Sequence, residues 1–175
     1  FNSRGSFRRT CVAARDADCT DRLDLANKEA LLELAAVAHE QQQTMTAEFP
    51  YLLIPRRAPT VFNSAFRGVD GLQKRSYNPA FLHSADIAAL NLIEGATVRI
   101  SSRHGSILAV LEADNGLKRG VVSISHGYGA NPNETVDVRA VGSNVNDLLA
   151  IDEDFEPRVG MPRMGAVPVR LEATT

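Results

Sequence analysis

From Phe49 onward the chain reads as short strand-like runs separated by turns, and that pattern limits what it can fold into. "ATVRIS" (96–101) sets Val98 and Ile100 against Arg99, the two-residue period of a strand with one buried face. "SILAVLEA" (106–113) is a nearly continuous apolar run, joined to the first by "SRHG". The pair predicts a hairpin in which Gly105 supplies a positive φ. "VVSIS" follows the turn "LKRG", and "AVPVRLE" (166–172) alternates Val167, Val169 and Leu171 into a closing strand. "YLLI" (51–54) is a further apolar strand, expected to stop at Pro55. There is no alternating strand and helix series of the kind that builds a doubly wound sheet. A small β-barrel with peripheral helices fits these elements.

Two helices are expected around it. In "LANKEALLELAAVAHEQQQ", Asn27 can cap the N-terminus, Glu29 lies in the first turn, and Leu31, Leu34, Ala35 and Ala38 make one apolar stripe that should pack on something. A short helix, "ADIAAL", is expected to be capped by Ser84, with Asp86 complementing its first turn and Asn91 in a left-handed C-terminal position. Residues 1–22 show no periodicity and read as a leader.

Charge and cysteine content exclude several classes. The formal net charge is −2, so nonspecific attraction to nucleic acid is not expected. Residues 50–125 carry nine Lys or Arg against five acids, whereas residues 126–156 carry seven acids and Arg139. A basic part beside an acidic segment suits a small anionic ligand. Cys11 and Cys19 stand alone, the four histidines are scattered, and no metal-ligand spacing is present. Free thiols in a reducing compartment follow from this. No run of 18 apolar residues and no signal peptide is present, and the first residue is Phe1 rather than Met. A piece of a longer protein is expected.

The candidate binding residues are a glycine-flanked tyrosine, a set of carboxamides and an arginine. In "SISHGYG", Gly127 and Gly129 flank Tyr128 after a strand, and can offer backbone N–H groups without a Cβ in the way. Arg57 can add bidentate contacts to phosphate. Asn63, Asn78 and Asn146 each present a donor and an acceptor to a heterocycle edge, and Tyr128 can lie against a ring face. Taken alone, "HGYG" is also the pattern of a plain turn, and each asparagine that of a turn residue.

Together these motifs resemble a known family. "LLIPRR", Asn63-Ser64, Asn78-Pro79, "HSADIAALNLIEG", "VRISSRHGSI", "HGYG", "VNDL" and "VPVR" occur in the order found in the C-terminal molybdopterin-guanine dinucleotide-binding domain of the dimethyl sulfoxide reductase family. The match runs from about Phe49 to Glu172. The family includes formate dehydrogenases and nitrate reductases, and the resemblance implies a double-psi β-barrel of the aspartate decarboxylase-like kind. It implies residues 49–175 as that barrel domain, with 1–48 as a leader and helix ending a preceding domain.

The resemblance further implies a binding role for Arg57, Asn63, Ser64, Asn78, His126, Gly127, Tyr128, Gly129 and Asn146. The cofactor would be molybdopterin guanine dinucleotide carrying Mo or W, with any iron–sulfur cluster elsewhere in the parent oxidoreductase. The metal ligand and catalytic groups would also lie elsewhere, so the chain alone should be inactive and its partners should be the remaining domains. The parent would be a cytoplasmic rather than periplasmic enzyme. A stand-alone binding module or small subunit is the alternative, and Gly105-Ser106 is the dipeptide at which pyruvoyl-dependent aspartate decarboxylase, a protein of similar barrel, cleaves itself. The chain departs from the family at Pro55-Arg56, His83-Ser84 and Leu149.

Overall fold

The computed structural model describes residues 27–39, 44–69, 71–72, 75–129, 137–156 and 159–174. The leader, Cys11 and Cys19 lie outside the described residues. The chain divides into two units, Phe1–Gln41 and Gln42–Thr175. In the first, α1 (Lys28–Val37) is capped by Asn27, whose side-chain oxygen accepts from the N–H groups of Glu29 and Ala30. None of its residues is buried, so its apolar stripe (Leu31, Leu34) remains exposed.

The second unit is a closed barrel of six strands: β1 (Tyr51–Arg56), β2 (Ala80–Leu82), β3 (Thr97–Ser101), β4 (Ser106–Ala113), β5 (Val121–Ser125) and β6 (Val167–Ala173). Around the barrel the order is β1, β5, β2, β4, β3, β6. Two pairs, β1 with β5 and β2 with β4, are parallel; the others are antiparallel. The mainly-β barrel expected from the strand runs and the resemblance is therefore what the chain forms. Its interior is filled by Leu53, Leu82, Val98, Ile100, Leu111, Val122, Ile124, Val169 and Leu171, all buried. Each such side chain contributes about 1.5–3 kcal/mol on leaving water.

Local details differ from expectation for physical reasons. β1 continues through Pro55. Its pairing with β6 ends at Leu53 opposite Val167, while the β5 ladder runs on to Arg56. Pro55 thus lies where one side of β1 has no partner, so a missing N–H costs little there. Gly105 does not adopt a positive φ; it is small because a Cβ would fall against the backbone carbonyl of Asp147. The three-residue strand β2 was not expected, since "AFL" is too short to show a period.

The second helix, α2 (Ser84–Ala89), is capped not by Ser84 but by His83, whose Nδ1 accepts from the Ala85 N–H at 3.1 Å. Ser84 instead donates from Oγ to Asn115 Oδ1 at 2.6 Å. Asn91 does take the left-handed position, at φ 53°. Asp86 is buried and accepts from Arg119 Nε and from the Gly120 N–H at 2.8 Å. This staples α2 to the β4–β5 turn, and burial beside Asp86 pushes the Tyr51 hydroxyl above its ordinary range. A short helix α3 (Val138–Val141) and a 3-10 turn (Val145–Leu148) complete the unit.

Candidate functional site

Strand direction gathers the chemistry. β1 and β5 run parallel and finish with Arg56 opposite Ser125, so the segments that follow them leave from one end of the barrel. β2 runs the other way, and the residues that precede it return to that same end. The β1–β2 loop and the loop after β5 are therefore neighbours.

In that neighbourhood Arg57, Asn63 and His126 make a hydrogen-bonded set. Arg57 Nη1 donates to Asn63 Oδ1 at 3.2 Å, and His126 Nε2 lies 3.1 Å from the same oxygen. An amide oxygen can only accept, so Nε2 carries the proton, and Nδ1 of a neutral ring is left as an acceptor. That Nδ1 is buried and has no partner among the described residues, a group prepared to take a donor from outside the protein. Asn63 and Ser64 form the centre of a tight turn closed by the Ala65 N–H on Phe62 O at 2.9 Å. Asn63 has φ 56°, which asparagine tolerates better than most residues.

The glycines serve a purpose other than the expected one. Gly127 and Gly129 have φ of 82° and 98°, so the loop needs them for conformation. A Cβ on Gly127 would fall against the Asn63 carbonyl oxygen, and one on Gly129 would lie 2.6 Å from the Asn144 nitrogen. The space they leave is thus filled by protein backbone, not held open for a ligand. Moreover, the Gly129 N–H donates to Val141 O at 3.0 Å and the Gly127 carbonyl accepts from Arg67 Nη1 at 2.6 Å.

Asn78 also has another occupation. It is buried, its amide nitrogen donates to the carbonyls of Ser125 (2.5 Å) and Ser143 (3.0 Å), and its oxygen accepts from the Ser143 N–H at 2.7 Å. Both amide hydrogens are taken up in tying β2 to the chain after β5, so the side chain has no donor left to read a heterocycle. Asn146 is exposed in the 3-10 turn and makes no hydrogen bond to Arg57, Asn63 or His126.

Two of the cavities among the described residues are large enough for a ligand. One of about 400 Å³ is lined by Arg56, Arg57, Arg75, Tyr77, Asn78, Phe81, Ser125 and Tyr128, among others, with a small hollow beside it formed by Arg57, Asn63 and His126. The other, about 670 Å³, is lined by Glu48, Phe49, Ser102, Arg103, His104, Asp154, Arg163 and Val167, among others. The larger cavity sets Glu48 and Asp154 against its arginines; among the described residues, the smaller has three arginines and no carboxylate in its wall. Charge therefore favours the smaller for an anion.

Within that wall Arg56 lies 4.1 Å over the Phe81 ring and pairs with Asp114 at 2.6 Å. The guanidinium beside it, helped by the Gly116 N–H, holds the Asp114 carboxyl below its ordinary range. Arg75 pairs with Glu112, which raises its own pKa. Arg57 contacts a neutral carboxamide, so its charge is not offset by that partner.

Residues 51–168 match the family described as the molydopterin dinucleotide binding domain. The chain belongs to that family.

The resemblance to the dinucleotide-binding domain of the dimethyl sulfoxide reductase family is thereby borne out. Among solved structures, acetylene hydratase from Pelobacter acetylenicus is similar, with a TM-score of 0.64 and 21% identity over 77% of this chain and 21% of that one. The chain thus spans about a fifth of that protein's length. No curated protein matches. Among the described residues no cluster of metal-ligating side chains occurs, and no helix is long and apolar enough to cross a membrane.

The residues of this molybdopterin dinucleotide-binding domain fit such a group on three counts: a buried imidazole nitrogen and an arginine that have, among the described residues, no partner and only a neutral partner respectively, and aromatic rings within a basic cavity. Arg67, Arg75 and Phe81 were not singled out from sequence, and Arg56 only as a departure from the family. No local pattern distinguishes them; only the barrel's folding brings them beside Tyr128 and Gly127.

Proposed function

We propose that residues 49–175 form the cofactor-holding C-terminal domain of a larger molybdopterin oxidoreductase, of the kind represented by formate dehydrogenases and nitrate reductases, and that residues 1–48 end a preceding domain. The cofactor is molybdopterin guanine dinucleotide, and when bound its metal supplies the redox chemistry. This chain's residues bind and orient. Arg57 offers its guanidinium to the pyrophosphate, Asn63 and Ser64 present polar groups from the exposed turn, and the His126 Nδ1 accepts a hydrogen bond. Tyr128, Tyr77 and Phe81 border the cavity with ring surface for a heterocycle. Asn78 and the two glycines hold the frame.

The observation that carries this reading is the Arg57, Asn63 and His126 set beside a cavity whose wall, among the described residues, has arginines but no carboxylate, in a chain of this family. Calorimetric titration of the chain with guanosine diphosphate tests it. Binding is expected, and Arg57→Ala should weaken it about tenfold or more, the scale of a charge-assisted hydrogen bond. Failure of the unaltered chain to bind would contradict the reading.

A further inference from the structure

The β1–β2 loop is held on the barrel by unusual means. Its large apolar side chains face outward: Phe62, Phe66 and Val69 are 70%, 58% and 46% exposed, so burial does little to anchor it. Phe66 has φ 68°, a left-handed conformation that a bulky residue keeps only when its surroundings hold it there. The next residue, Arg67, makes two contacts to the turn after β5. Its Nη1 donates to the Gly127 carbonyl at 2.6 Å, and its guanidinium lies 5.4 Å from the centre of the Tyr128 ring. From the same loop the Asn63 backbone packs where a Gly127 Cβ would be.

We infer that Arg67 is a positioning residue whose guanidinium, bonded to the Gly127 carbonyl and set over the Tyr128 ring, latches the β1–β2 loop to the Gly127–Gly129 turn, keeping the Asn63 and His126 groups in register before a dinucleotide arrives. Its effect on ligand binding rests on the function proposed above; its effect on the turn does not. A charge-assisted bond to a carbonyl and a cation held against a tyrosine face act together here. Lysine keeps the charge and a donor but lacks the flat fork that stacks.

Hydrogen exchange and titration with guanosine diphosphate on the full chain separate the two parts. The Gly129 N–H, bonded to Val141 O, should exchange at least tenfold faster in Arg67→Ala while the amides of Val122 and Ile124 in β5 keep their rates. Arg67→Lys should exchange about threefold faster. Guanosine diphosphate affinity should fall about tenfold in Arg67→Ala and stay unchanged in Arg99→Ala, which removes the same charge from β3. Wild-type exchange at Gly129 in Arg67→Ala would overturn the latch. Should Arg67→Ala not fold, Arg67→Lys decides, and a wild-type rate there would overturn the claim for the guanidinium. Absence of binding by the unaltered chain, with faster exchange in the variant, would sink the proposed function and leave the latch standing.

Discussion

The wall of the barrel and its loop-bearing end are held by different physics. In the wall, inward residues such as Leu82, Val98 and Ile124 are fully buried and the strands share continuous ladders. At the loop end, Phe62 and Phe66 face solvent, Asn63 and Phe66 adopt positive φ, and the contacts are single polar bonds from Arg57, Arg67 and Asn78. Burial is non-directional and tolerates approximate shape; a hydrogen-bonded loop depends on particular groups. The wall should therefore carry stability and the loop end ligand recognition, each largely without the other.

Substitutions can break that division. Leu82→Ala, in the wall, should lower unfolding free energy by about 3 kcal/mol and leave guanosine diphosphate affinity unchanged, as read by denaturant unfolding and titration. A parallel fall in affinity would mean the two regions are not separable. Asn78→Ala tests the seam between them: it orphans the Ser143 N–H and two carbonyls, and should cost about 2 kcal/mol with a measurable loss of affinity as well. Arg57→Ala, by contrast, should leave the unfolding free energy within about 0.5 kcal/mol, as expected for an exposed side chain.

The smallest effect concerns acid. The Asp114 carboxyl is held below its ordinary value of 3.8, first by Arg56 and then by the Gly116 N–H. Its contribution to stability is present above the unfolded value and fades as pH falls through the lower folded one. Melting curves taken between about pH 4 and 2 should show a shallower acid decline in Asp114→Asn than in the parent chain. Equal slopes would mean that the Arg56 pair is not formed in solution.

How much of this was legible beforehand follows the same division. β4 and β5 were readable to the residue from "SILAVLEA" and "VVSIS" because an apolar run bounded by turn residues is a local signal. β2 was not, because three residues in a barrel take their conformation from their neighbours. Arg57, Asn63 and His126 were legible through order and family motif, and they do meet. Asn78 and the glycines were found at the right place but with a different task, since only the folded chain shows that Ser143 and Asn144 occupy the space assigned to a ligand. Arg67 gave no sign at all, and Arg56 showed only as a departure from the family. An arginine in a turn-rich stretch acquires meaning from a partner sixty residues away.

The most direct test of the central claim is to map, by backbone and side-chain NMR, where guanosine diphosphate touches the chain. The account predicts shifts concentrated at Arg57, Asn63, His126 and Tyr128 around the 400 Å³ cavity. Shifts confined to Ser102, Arg103, His104 and Arg163 around the larger cavity would contradict it.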